Sequence, residues 1–349
     1  MVSKKASKRP HEKRKQSSEK HSKPKRASVK KAKTTDILKS KQAGVALARK
    51  QRTEMALPSE LGKGRRSQEQ PRHEKKEQTR ELADFLTLRK VKRLKPETEI
   101  PEPVKNKSGN VLVGLLHKSA EKSQTIVIFS PGFASSKDRP KIKYCCTALA
   151  RAGIDAYRFD FSGNGDSEGR FEDATPRKLL DDLQCVRDHF ATRYKKLFLV
   201  GFSLGGTLSL YSAATQTCAG VISVAAPIYR GTFEAQFSPE QLSQLRSVGF
   251  TLIPHQTPYG SVPFTVYERF FTEFAELDML LAIPRISCPV LLVHGSADAV
   301  VPLRETEELF TRIPSKDLFL IGGADHRFSA PNHIDALAEE IVLFVRENS

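Results

Sequence analysis

Three positions in this 349-residue chain have the side-chain types and the order needed for attack on a carbonyl by a serine. Ser203 stands in Gly201-Phe202-Ser203-Leu204-Gly205-Gly206, behind the apolar run LFLV at 197–200 and ahead of a helical stretch. A serine hydroxyl is a weak nucleophile until a base takes its proton and a third group orients that base. The G-x-S-x-G spacing suits a sharp strand-to-helix turn that lifts the hydroxyl out of a sheet. Glycines at 201 and 205 permit close packing where a Cβ would clash, and the helix behind Ser203 aims its amide dipoles at a developing oxyanion. Asp298 follows an apolar run at 290–294, in Gly295-Ser296-Ala297-Asp298. His326 follows another at 318–321, in Gly322-Gly323-Ala324-Asp325-His326. Three run ends thus supply Ser, Asp and His in the chain order that a nucleophile elbow requires. Ser203 is expected as nucleophile, His326 as base and Asp298 as acid.

An oxyanion needs two backbone N–H donors. The residue after the nucleophile, Leu204, supplies one, and the loop Ser130-Pro131-Gly132-Phe133-Ala134, after TIVIFS, supplies the other at Phe133. The alternative for that loop is an ordinary Pro-Gly turn. Asp325 is a weaker choice of acid, being adjacent to His326 and pointing away from it. His294 is read as packing and hydrogen bonding, His333 as surface or capping, and His117, His189 and His255 as structural or exposed. The glycine-rich segment 159–169 (FDFSGNGDSEG) has neither P-loop nor G-x-G-x-x-G spacing, so it is read as a loop bordering the site. No cluster of metal-ligand type appears, and no cofactor is called for.

The elements that must position these residues follow from periodicity. Strands are expected at 110–116, 125–130, 155–160, 197–200, 220–225, 290–294 and 317–321. Helices are expected at 144–152, 177–193, 203–214, 304–312 and 334–347. Short apolar strands alternating with helices imply a doubly wound, mostly parallel α/β sheet covered on both faces, with its active loops at the carboxyl ends of the strands. The stretch 95–105, with three prolines, reads as a linker or an incoming strand. Residues 229–285 break the alternation, and an insertion of this length reads as a lid. Its phenylalanines (Phe233, Phe237, Phe250, Phe264, Phe270, Phe271) suit an apolar acyl or aryl group or, equally, the insertion's own core.

Residues 97–349 resemble the α/β-hydrolase superfamily, and within it the lid-bearing carboxylesterases of the cinnamoyl/feruloyl esterase and serine-aminopeptidase-like group. The resemblance rests on PGF at 131–133, FDFSGNGDSEGRFEDAT at 159–175, GFSLGG at 201–206, HGSADAVVP at 294–302 and GGADHRFS at 322–329. It implies Ser203 as nucleophile, His326 as base, Asp298 as acid, and Phe133 and Leu204 as oxyanion donors. Pro131 stands where the family usually has His, and Phe202 and Leu204 where His and Gln are common; the backbone donors are left intact.

Charge divides the chain. Residues 1–100 hold 31 Lys and Arg against 12 Asp and Glu, whereas the remainder is nearly neutral. A uniformly basic nucleic-acid-binding fold is therefore excluded. Residues 1–96 are expected to be a disordered basic arm with sparse helical stretches at 35–50 and 79–94, since few apolar side chains are there to offset ordering entropy. Basic runs at 4–15 and 23–33 suit nuclear targeting or phosphate contact. Residues 197–229 carry no charge, yet their Ser, Thr, Gly and Gln content fits a buried strand–turn–helix better than a membrane span. Five cysteines without a CxxC pair, and an amino terminus without an apolar signal core, point to an intracellular address, cytoplasmic or nuclear. The reading is a serine hydrolase of carboxylic esters acting on a small-molecule ester with an apolar or aryl group. Its alternatives are a peptidase or thioesterase of the same fold, or an interaction protein that binds nucleic acid or an acidic surface through the arm.

Overall fold

The computed structural model describes residues 98–257 and 260–349; the expectations for the arm at 1–96, its disorder and its two helical stretches, lie outside them. Twelve strands are described: β1 (Thr98–Pro101), β2 (Val104–Lys105), β3 (Val111–Leu112), β4 (Gly114–Lys118), β5 (Thr125–Ser130), β6 (Asp155–Phe159), β7 (Lys196–Phe202), β8 (Gly220–Val224), β9 (Phe250–Thr257), β10 (Gly260–Tyr267), β11 (Val290–Gly295) and β12 (Lys316–Ile321). The helices are α1 (Pro140–Arg151), α2 (Pro176–Ala191), α3 (Leu204–Thr215), α4 (Arg230–Glu234), α5 (Pro239–Val248), α6 (Glu268–Glu276), α7 (Met279–Ala282), α8 (Leu303–Arg312) and α9 (Pro331–Glu347).

Eight strands form one sheet in the order β1-β4-β6-β5-β7-β8-β11-β12. From β6 to β12 all neighbours are parallel, while β4 runs antiparallel to both β1 and β6. This is the doubly wound, mostly parallel sheet expected. Every residue of β5, β6, β8 and β11 is buried, which is why these strands read as unbroken apolar runs. Their period of two divides the core. Val127, Phe129, Val200 and Val293 face α1 and α9. Ile126, Ile128, Leu199 and Leu292 face α2, α3, α8 and the insertion. From β5 the chain moves outward to β6, then returns past β5 to β7, so a topological switch point lies between β5 and β7, where open α/β sheets place their ligands.

One strand expectation is corrected. Residues 110–116 do not form a single strand: β3 pairs with β2 in a separate two-stranded ribbon, and β4 joins the main sheet. The break falls at Val113, whose N–H goes to Ser167 Oγ (2.8 Å). Gly114 follows because any Cβ there would lie 1.9 Å from the Tyr157 hydroxyl, which donates to the Glu102 carbonyl at 2.7 Å. Within 95–105 the structure forms β1 at the sheet edge, so the stretch is an incoming strand. Helix α1 begins at Pro140, four residues before the expected start, because proline at the first helical turn needs no N–H partner.

Residues 229–285 leave the sheet after β8 and return at β11. They form α4, α5, the β9–β10 hairpin, α6, α7 and a short 3₁₀ turn. Serine at 238 and glutamine at 241 form a capping box at the start of α5. Glu305 of α8, fully buried, fastens the point of departure: it accepts the Ile228 N–H at 2.7 Å and the Thr232 hydroxyl.

Candidate active site

Ser203 sits between β7 and α3 with φ 52° and ψ −122°, a region that non-glycine residues occupy only under constraint. The constraint is visible in its neighbours. A Cβ at 201 would lie 2.0 Å from the Gly205 carbonyl oxygen, and one at 205 would lie 2.2 Å from that of Ser130 and 2.4 Å from that of Pro131. Only glycine lets β7, α3 and the end of β5 approach this closely. The Ser203 N–H goes to Val224 O at 2.8 Å, which ties the turn to β8.

The loop after β5 runs along this turn. A Cβ on Gly132 would stand 3.4 Å from that of Ser203, so Phe133 and Leu204, the two expected N–H donors, belong to adjacent segments. Ala134 has φ 48°, which folds the loop tightly after Phe133.

Asp298 and His326 are brought together. His326 Nδ1 lies 2.7 Å from Asp298 Oδ2. The loops that carry them lock to each other: Ala297 N–H donates to Ala324 O, Gly323 N–H to Ser296 Oγ, and a Cβ at Gly295 would lie 2.3 Å from Ala324 O. The other carboxylate oxygen, Oδ1, accepts the Val300 and Val301 N–H groups at 2.8 and 2.9 Å. Burial works to raise the Asp298 pKa, but the His326 bond and charge together with these two amides outweigh it and hold the carboxyl below its usual range. An ionised carboxylate can only accept, so His326 Nδ1–H is the donor in this bond.

The rival residues are occupied elsewhere. Asp325 accepts the Ser329 N–H and hydroxyl and turns away from His326. His294 is fully buried, bonded to Thr306 Oγ1 and Val301 O, and its Nε2 lies 3.6 Å from Asp298 Oδ2; burial lowers its pKa. His117 takes the Arg158 Nε–H, and His189 bonds Glu102. His333 is half-buried in the first turn of α9, with Nδ1 shielded from solvent. Among the described residues no group of three or more His, Cys, Asp or Glu is placed to hold a metal ion, and no helix is long and apolar enough to cross a membrane.

Two features escaped the sequence reading. Lys137 donates to Asp160 at 2.8 Å and Asp166 at 2.5 Å, while its own N–H goes to Asp160 Oδ1. Burial opposes its charge, but these carboxylates prevail and raise its pKa. This buried knot fastens the β5 loop to the glycine-rich segment after β6. The second feature is a narrow solvent-open cleft lined by Phe133, Phe171, Val266, Arg269 and Phe270. The Phe133 ring packs on those of Phe171, Phe233 and Phe270, with centroids 5.6, 6.0 and 4.8 Å away. Of the insertion's phenylalanines, Phe233, Phe270 and Phe271 are buried core, and Phe270 also walls the cleft.

Comparison with known proteins follows the same lines. A family model described as "Alpha/beta hydrolase family" matches residues 127–340. The human protein named palmitoyl-protein thioesterase ABHD10, mitochondrial, is 30% identical over 239 residues, which are 66% of this chain and 76% of that protein. The crystal structure of mouse alpha/beta hydrolase domain-containing protein 10 superposes with a TM-score of 0.58 at 25% identity, covering 72% of this chain and 100% of that one. Est1E from Butyrivibrio proteoclasticus, solved with ferulic acid bound, superposes with a TM-score of 0.58 at 21% identity, covering 71% and 98%. The superfamily that the five motifs resemble is thereby borne out.

Proposed function

Because the chain belongs to the alpha/beta hydrolase family, we propose that it is a serine hydrolase that cleaves acyl esters through Ser203, His326 and Asp298. The observation that carries this reading is the 2.7 Å Asp298–His326 bond on loops at the same sheet edge as a serine with φ 52°. His326 Nε2 takes the hydroxyl proton as Ser203 Oγ attacks the carbonyl carbon. Asp298 keeps the imidazole in the required tautomer and stabilises the imidazolium that forms. The Phe133 and Leu204 amides receive the negative charge on the tetrahedral oxygen; one such donor is worth about 10²–10³ in turnover. His326 then hands its proton to the leaving alcohol, and water releases the acyl group by the same steps.

The substrate is a small molecule whose apolar acyl or aryl group enters the Phe133–Phe270 cleft, with residues 229–285 acting as a lid over it. The cleft is narrow and walled by aromatic rings, which favours short acyl or aryl groups. A second reading, hydrolysis of acyl thioesters, is supported by the name of the human relative. An intracellular address, cytoplasmic or nuclear, is a companion proposal supported by five cysteines outside any disulfide; the human relative is named as mitochondrial. Contact of the basic arm with nucleic acid or an acidic surface is a separate proposal, resting on charge alone.

The test is labelling with a fluorophosphonate probe, comparing the wild-type chain with Ser203→Ala, followed by hydrolysis of oxygen and sulfur esters of graded acyl length. Labelling lost with Ser203 and turnover falling with chain length are expected. A folded wild-type chain that neither labels nor turns over any ester would sink the reading. Preference for a palmitoyl thioester over short oxygen esters would replace it with the second.

A further inference from the structure

Lys141, in the first turn of α1, has an ammonium in an unusual place. Its Nζ lies 4.8 Å from the ring centroid of Phe202, the residue before Ser203. It lies 5.3 Å from the ring centroid of Phe328, two residues after His326. It also reaches the carbonyl oxygen of His326 at 3.4 Å. Phe328 is fully buried and holds φ 54°, so the turn after His326 is itself strained and in need of support. A cation over two aromatic faces and against a carbonyl makes three weak attractions that converge on one point.

We propose that Lys141 is a positioning residue: its ammonium ties the loop of His326 to the strand end of Ser203, and base and nucleophile keep their register only while it is charged. The inference rests on the hydrolase reading above and assigns a part that the triad does not contain. Helix α1 follows the loop that carries Phe133, so the same lysine links three of the four loops that bear the proposed catalytic groups. A hydrophobic residue could fill the space between the two rings, but it would offer the His326 carbonyl no donor.

The charge is poised to be lost. Burial pushes the Lys141 pKa down to about 8. Cys145 on its own helix, Asp325 on the His326 loop and Asp298 on the loop after β11 pull it back up, and Arg139 before α1 adds to the depression. Lys141 is therefore cationic below about pH 8 and neutral above it. A serine–histidine pair alone gains rate as the base deprotonates and then levels off; loss of the lysine charge adds a falling limb on the alkaline side.

The experiment measures kcat and KM of the full-length chain on a short p-nitrophenyl ester between about pH 6 and about pH 10. Wild type, Lys141→Met, Lys141→Arg and Ser203→Ala are compared, with a thermal melt of each. Wild-type kcat is expected to fall above about pH 8 with KM nearly constant. Lys141→Met is expected to lower kcat at neutral pH by about tenfold and to abolish the alkaline fall. Lys141→Arg, which stays charged throughout, is expected to restore kcat and also remove the fall. A wild-type profile flat to the alkaline end overturns the proposal. So does an arginine variant that still declines at the wild-type pH, a result that holds even if the methionine variant fails to fold. Turnover that persists in Ser203→Ala sinks the hydrolase reading and this one with it; Ser203-dependent turnover with unchanged lysine variants sinks this one alone.

Discussion

Gly205→Ala should damage the protein far more than a single methyl group suggests. Gly205 is the second residue of α3, where alanine is intrinsically better than glycine by about 1 kcal/mol. Its added Cβ would nevertheless lie 2.2 Å from Ser130 O, 2.4 Å from Pro131 O and 2.7 Å from Ser130 C, where ordinary contact begins at 3.4 Å. The shortfall is more than an ångström, and all three atoms are main chain. Strand β5 is paired on both sides, with β6 and β7, so it cannot move. What yields is the loop that carries Phe133 or the start of α3 that carries Leu204, and each is one half of the proposed oxyanion site. A misplacement of about 1 Å costs on the order of 10² in rate, and overpacking costs about 1–3 kcal/mol in stability. The assay is kcat/KM on a short ester beside a thermal melt. Gly231→Ala serves as the control, because nothing lies within 4 Å of its Cβ; it should melt slightly higher and keep full activity. Wild-type kcat/KM in Gly205→Ala would refute the claim that close packing of β5 against α3 sets the site.

Other expectations are independent of that one. Asp298→Asn should leave the fold intact and reduce kcat by about 10⁴, since the amide favours the wrong imidazole tautomer; a loss below tenfold would argue for another acid. The same carboxyl is held below its ordinary 3.8 in the fold. It therefore stabilises the protein fully above that value and progressively less as pH falls through its lower folded value. The acid limb of a stability–pH curve should be shallower in Asp298→Asn. Arg158 is 1% exposed and bonds Asp138, His117 and the Lys137 carbonyl. Arg158→Met should cost about 3–5 kcal/mol by leaving those partners buried without it. A maleimide should react in the native state with half-buried Cys185 and spare Cys145, whose thiol burial pushes up to about 12. Early labelling of Cys145 would contradict the packing of α1.

The sheet was readable because its strands are buried on both faces. TIVIFS is one apolar run from end to end, and β5 has the bounds expected of it. Ser203, Asp298 and His326 stood out as candidates because each lies within five residues of the end of such a run. The hairpin in the insertion was not, because its strands carry prolines. Pro254 and Pro263 stand opposite each other in the β9–β10 register, which a two-stranded ribbon tolerates because both strands are edges. Lys137 and Lys141 were hidden by composition: SSKDRPKIK at 135–143 looks like any solvated surface stretch. Only the fold turns one of these lysines toward Asp160 and the other between two rings. Likewise, Tyr157 shows no sequence signal that would require a glycine at 114.

The order of strands along the chain also bears on how the protein is made. Ser203 and its elbow are complete once β8 has been synthesised, but His326 follows 123 residues later. At roughly 5–20 residues per second, this interval is on the order of ten seconds. Strands β11 and β12 are the last to join, and they add at one edge of a sheet already formed. On the proposed triad, a nascent chain in that interval presents an elbow without its base, and activity is expected only once the final strand docks. A chain ending after residue 315 is accordingly expected to escape the fluorophosphonate probe.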